Sequence, residues 1–202
     1  TRSRKRGYSL TLIYIFVMKL TLDLRDYIVS FDDMMHPNTC DEIVARYLES
    51  DKWEEATTSG SSQDNVRSKS RVCYTIPVSK YPSEKNIDQA LYTVFSKSIA
   101  KYSEKFPFFG VRNDEGYFLL KYLEGGKYSQ HIDAGSDYHR TCSVILALND
   151  GYTGGELKFF DGQHTQELKK GSVVVFPSSY TYPHQVTPVT SGERYSVVSW
   201  FN

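Results

Sequence analysis

From Gly116 onward the chain breaks into short apolar or alternating runs separated by Gly, Pro, Asn and Asp, and this punctuation constrains the fold most. The runs at 117–123, 128–133, 141–148, 155–160, 164–168, 172–176, 184–189 and 194–201 each have the length of one strand. Such close spacing of short strands is that of a sandwich or jelly roll. Helical periodicity is confined to what precedes them. After Pro37, with Asn38 or Thr39 as cap, Ile43, Val44, Tyr47 and Leu48 share one helix face, through about Ser50. After Pro82-Ser83, the residues Ile87, Ala90, Leu91, Val94, Phe95 and Ser98 form a second helical stripe. Helices first and strands after do not make the alternation of a parallel sheet. The expected fold is mainly β with N-terminal helices (α+β): a double-stranded β-helix, or jelly roll, over about 116–202, buttressed by helices over about 18–115.

With 202 residues, the chain suffices for one domain with its own core. Lys+Arg and Asp+Glu balance at 24 each, so no net field points to nucleic acid or to an anionic membrane. Cys40, Cys73 and Cys142 are widely spaced and form no CxxC pair, which argues against a disulfide framework or structural zinc. A reducing, cytoplasmic compartment is expected. Arg2 to Arg6 followed by apolar Leu10 to Leu20 imitates a signal peptide, but no small-residue cleavage site follows. The apolar run is also too short to span a membrane. Met18 opens a cleaner start, so 1–17 is read as a non-native or upstream extension and 18–202 as a single domain.

Three separated pieces carry chemistry. His131 and Asp133 lie two apart, and in a strand such side chains project from one face. One imidazole and one carboxylate are two-thirds of the 2-His-1-carboxylate triad that holds Fe(II) and leaves coordination positions open. An HxD pair alone is common by chance. His184, in Tyr182-Pro183-His184, follows a buried-strand pattern, and in a jelly roll it can face His131 across the barrel. Arg194 stands ten residues further on, sharing a strand face with Ser196, Val198 and Trp200. A dicarboxylic co-substrate that chelates iron at one end needs a cation at the other. The forked guanidinium binds a carboxylate through two parallel hydrogen bonds, and Ser196 can donate a further one.

The pattern Tyr122-x5-Tyr128-x2-His131-x-Asp133, then His184-x9-Arg194-x-Ser196, resembles the 2-oxoglutarate/Fe(II)-dependent dioxygenase superfamily, in its prolyl 4-hydroxylase-like branch. The resemblance covers roughly 117–201. It implies that His131, Asp133 and His184 hold Fe(II) and that Arg194 pairs with the distal carboxylate of 2-oxoglutarate. Tyr122 then hydrogen-bonds the co-substrate, Trp200 walls it, and Tyr128 lies on the substrate side. It also implies O2 as oxidant, ascorbate to keep the iron reduced, and succinate and CO2 as co-products. The substrate expected from it is a prolyl residue in a peptide or protein. A free amino acid, another small molecule or a nucleobase are alternatives, as is a non-catalytic jelly-roll binding module. Related nucleic-acid demethylases carry a second Arg six residues after the first, where this chain has Trp200. Asp133 favours hydroxylation over halogenation, since related halogenases lack that carboxylate. The polar stretch Thr57 to Ser70 has the composition of a lid, and Arg67, Lys69 and Arg71 near it are candidates to contact an acidic or polar substrate.

Overall fold

Two strands that lack any polar alternation sit at the centre of the molecule, where both of their faces are covered. The structure, a computed structural model, describes residues 22–57, 69–135 and 139–202; the expected extension at 1–17 and most of the 57–70 loop lie outside them. In chain order the first elements are β1 (Val29–Phe31), α1 (Pro37–Tyr47), β2 (Glu54–Glu55), β3 (Arg71–Val72), β4 (Tyr74–Pro77) and α2 (Lys85–Lys105). There follow β5 (Phe118–Tyr122), β6 (Lys127–His131), β7 (Cys142–Ala147), β8 (Thr153–Gly154) and β9 (Leu157–Phe159). The last are β10 (His164–Gln166), β11 (Val173–Pro177), β12 (His184–Val186), β13 (Val189–Ser191) and β14 (Arg194–Phe201).

The larger sheet runs β1-β11-β7-β14-β5-β4-β2 and the smaller β10-β9-β12-β6-β3, while β8 and β13 form a ribbon. Every pairing is antiparallel. This is the expected jelly roll. Alternate residues of the larger sheet divide between two cores. Leu119, Val144, Leu146, Val173, Val175 and Val197 pack with Leu91, Val94 and Phe95 of α2. Their neighbours Leu120, Ile145, Val174, Phe176 and Val198 turn inward, against Leu157, Phe159 and Val186 of the smaller sheet. A sheet buried on both faces needs apolar residues at every position, which is why β7 and β11 read as unbroken runs.

The N-terminal part departs from the sequence expectation in two ways. Pro37 occupies the first turn of α1, where its missing N–H costs nothing, so the cap is His36 and not Asn38 or Thr39. The His36 Nδ1 accepts from the Asn38 amide at 3.2 Å. The region before Gly116 also contributes strands as well as helices. β1, β2 and β4 extend the larger sheet and β3 the smaller. Pieces of two to four residues are too short to display a period, and only pairing reveals them.

Glu84 fastens the two helices. Its buried carboxylate accepts from Arg46 Nε at 2.8 Å, the Tyr47 hydroxyl at 2.8 Å and Ser83 Oγ at 3.0 Å. The Arg46 bond, working against burial and aided by Tyr47 and Ser83, holds its pKa down to about 2. A carboxylate with a depressed folded pKa stabilises the fold above its unfolded value of 4.5 and loses that contribution as pH falls from there toward 2. Glu84→Gln should therefore cost about 2 kcal/mol at pH 7 and little at pH 2.5, measured by urea denaturation at both. An equal loss at both pH values would remove the charge from the explanation.

Candidate metal centre

β6 ends at His131 and pairs with β12, whose His184 stands directly opposite in the register. That pairing erases the long sequence separation of the two histidines and sets their rings 4.2 Å apart between centroids. Asp133 lies beyond the end of β6, in the turn rather than the strand, and still reaches the same point. Its Oδ1 is 3.6 Å from His131 Nε2 and its Oδ2 3.4 Å from His184 Nε2. Among the described residues this trio is the group of ligand atoms that could hold a metal, all within 4.8 Å of one another.

Each histidine is oriented from behind by the main chain. His131 Nδ1 lies 2.9 Å from the Ser129 carbonyl oxygen and His184 Nδ1 3.1 Å from that of Tyr182. With Nδ1–H donating to a carbonyl, the Nε2 lone pair is left facing the centre, as a metal ligand requires. Burial lowers the pKa of His184 to about 4, against the opposing pull of Asp133, so its imidazole is neutral at pH 7. Burial alone would raise Asp133, but His184, His131 and the Ser143 hydroxyl hold its carboxyl well below the usual range. Two imidazoles and one carboxylate, with an open side toward a cavity, fit Fe(II).

Asp133 has support that sequence reasoning missed. Ser143 Oγ donates to Asp133 Oδ2 at 2.6 Å and lies 2.7 Å from Ser178 Oγ, and both serines are buried. Arg140 reaches the Asp133 carbonyl oxygen at 3.3 Å while bonded to both carboxylate oxygens of Glu115 at 2.8 and 2.5 Å. The available signal was Ser143 itself, a hydroxyl within the otherwise apolar β7; a buried polar group implies a partner.

The same cavity is lined by Arg194, Tyr122, Ser196, Trp200, Tyr128 and Arg71 as well as the triad. Arg194 and Ser196 are at most 3% exposed, and Arg194 pairs with Tyr122 across β14 and β5. Arg194 Nη1 donates to Ser196 Oγ at 2.8 Å, and its guanidinium lies 5.2 Å from the Tyr122 ring. Its Nε is buried with no hydrogen-bond partner, and no carboxylate of the described residues pairs with it. Gly155 makes room for this side chain. It has φ +60°, and a Cβ there would lie 2.9 Å from Arg194 Cδ, so only glycine fits without displacement. Trp200 is half-buried beneath the Arg140 guanidinium, 3.8 Å away, and against Phe118. Tyr128 stacks on His131, with centroids 3.5 Å apart and planes 17° from parallel. Arg71 lies over the other part of this stack, 4.7 Å from the Tyr128 centroid. Arg67 lies outside the described residues.

Comparison with known proteins agrees with this geometry. Residues 117–202 match the family model described as the 2OG-Fe(II) oxygenase superfamily. A PKHD-type hydroxylase of Acaryochloris marina is 38% identical over 86 residues, which are 40% of this chain and 38% of that protein. The chain thus spans about two fifths of the length of the curated relatives it matches. A prolyl hydroxylase from Trichoplax adhaerens, solved with a peptide fragment of a hypoxia inducible factor, superposes with a TM-score of 0.73 at 16% identity. That overlay covers 87% of this chain and 83% of that one. A Pseudomonas putida prolyl-4-hydroxylase gives 0.64 at 23% identity, covering 87% and 92%. These two likenesses establish the shared jelly roll. Over residues 117–202, which build the triad and hold Arg194, the chain is thus similar in sequence to the 2OG-Fe(II) oxygenase superfamily, on a fold like that of the prolyl hydroxylases.

Proposed function

We propose that this protein is an Fe(II)- and 2-oxoglutarate-dependent dioxygenase that hydroxylates an unactivated C–H bond, with a prolyl residue of a peptide or protein as substrate and succinate and CO2 as co-products. The observation that carries the reading is Arg194: a buried guanidinium, unpaired by any carboxylate of the described residues, in the cavity that holds the triad. A buried charge without a counter-ion is costly, and a dicarboxylate anchored at the metal would supply the missing partner. A jelly-roll binding module would have no use for that charge. His131, Asp133 and His184 would hold the iron, which when bound supplies O2 activation coupled to decarboxylation of the co-substrate. Arg194 would take the distal carboxylate in a two-bond grip, with the Ser196 hydroxyl and Tyr122 beside it. Trp200, Leu120, Ile145 and Val198 line the cavity and exclude water from the reacting centre.

Prolyl substrate is favoured by the PKHD-type hydroxylase relatives and the prolyl hydroxylase fold neighbours, one of them holding a peptide. Ascorbate would keep the iron reduced between turnovers. Three buried free thiols suit a reducing, cytoplasmic setting. No helix among the described residues is long and apolar enough to cross a membrane.

Anaerobic titration of the Fe(II)-loaded protein with 2-oxoglutarate tests the reading. A weak visible charge-transfer band should grow to saturation, and admitting O2 should release succinate. Folded, iron-replete protein that shows no band at saturating 2-oxoglutarate would overturn it.

A further inference from the structure

Arg71 is the second guanidinium on the cavity wall, and nothing in the co-substrate's chemistry accounts for it. It stands on β3, opposite Tyr128 in the register of β6. Its guanidinium covers the Tyr128 ring, which in turn stacks on the metal-ligand candidate His131. The stack of guanidinium, phenol and imidazole puts a fixed positive charge two ring layers from the centre. Arg71 Nη1 donates to the Thr57 carbonyl oxygen at 3.1 Å, while Nε is buried with no partner. No carboxylate of the described residues forms an ion pair with it.

Charge counting isolates the residue. Fe(II) and Arg194 bring three positive charges; Asp133 and a doubly charged 2-oxoglutarate bring three negative ones, and histidines that bind a metal through a lone pair add none. Among the described residues Arg71 is then the uncompensated charge on the wall of a largely apolar cavity. Such a charge favours an incoming anion, and a guanidinium pairs best with a planar carboxylate.

We infer that the substrate carries a carboxylate close to the carbon that is oxidised, and that Arg71 is the residue that reads it. This rests on the hydroxylase reading above and narrows its substrate class to acidic substrates. The carboxylate can belong to an Asp or Glu beside the target residue in a peptide, or to the α-carboxylate of a free amino acid. Tyr128 holds the guanidinium against its ring and, by filling the space between Arg71 and His131, would keep the substrate carboxylate from the metal.

The test uses the Fe(II)–2-oxoglutarate complex of the full chain, whose charge-transfer band first shows that the co-substrate site works. Two probes follow: proline-centred peptides scanned at each flanking position with Glu against Gln, and free L-proline against its methyl ester. Binding is read anaerobically from the shift of the band, and turnover from succinate. Glu should be favoured over Gln at one or two positions, or free proline over its ester, by roughly tenfold or more. Arg71→Gln should erase that preference while leaving the 2-oxoglutarate affinity within about twofold of the parent. Arg71→Lys should restore part of it, since charge returns without the fork. The inference is overturned by equal binding of each acidic and neutral pair, by a preference that survives Arg71→Gln, or by failure of every acidic probe to bind while the band is intact. A missing band instead overturns the hydroxylase reading itself.

Discussion

His184→Ala should abolish turnover and weaken Fe(II) binding by more than about a hundredfold, the upper end of what loss of an outer-shell partner costs. The magnitude follows from the geometry. Three ligand atoms converge from β6, from the turn after it and from β12, and removing one leaves two ligands that cannot close a face of the ion. The residue also packs against Phe176 and Phe159, with centroids 4.8 and 5.6 Å away, so truncation leaves a void of its own. His184→Gln fills more of that space and serves as the control. Both variants should melt cooperatively as apo-proteins, yet neither should develop the charge-transfer band with Fe(II) and 2-oxoglutarate. A His184→Gln protein that retains the band at parental Fe(II) concentrations would exclude His184 as a ligand.

Arg194→Met separates affinity from stability. Losing the guanidinium should weaken 2-oxoglutarate binding by about a hundredfold or more, since breaking a buried, hydrogen-bonded charge pair costs about 2–5 kcal/mol. In the apo-protein the sign should reverse. Arg194 is buried there without a carboxylate, and replacing such a charge by an apolar side chain of similar length relieves a desolvation cost. Apo Arg194→Met should therefore be as stable as the parent or more stable, by about 1 kcal/mol. Saturating 2-oxoglutarate, with iron present, should raise the parent's melting temperature and leave the variant's nearly unchanged. Isothermal titration and thermal denaturation, each with and without co-substrate, give both signs. Destabilised apo-protein together with normal co-substrate affinity would make Arg194 a structural residue.

Much of this site was legible in the sequence because its parts obey short-range rules. The face shared by Arg194, Ser196, Val198 and Trp200 follows from the two-residue period of a strand, and all four line the cavity. The stripe Leu91, Val94, Phe95 and Ser98 follows from the helical period, and all four are buried. The cap of α1 lies two to three residues before the expected Asn38 or Thr39 because Pro37 can open a helix as readily as a polar residue can precede it. The early strands escaped notice for a different reason. β2 and β3 have two residues each, and such a segment becomes a strand only when a neighbour completes its hydrogen bonds.

By itself the sequence determined which residues could act as ligands and which face each strand would bury, since both depend on residue type and backbone period alone. That His131 and His184 oppose each other was decided by the pairing of β6 with β12, a long-range register that no local pattern encodes. The same holds for the Ser143–Ser178 support behind Asp133, which joins β7 to the end of β11. It holds also for the stack of Arg71 on Tyr128 and His131, which β3 completes from the sheet edge. Side-chain chemistry is local, whereas convergence on a single point needs the loop-closure cost of distant strands to be offset by burial of the whole core, and only the folded chain provides that.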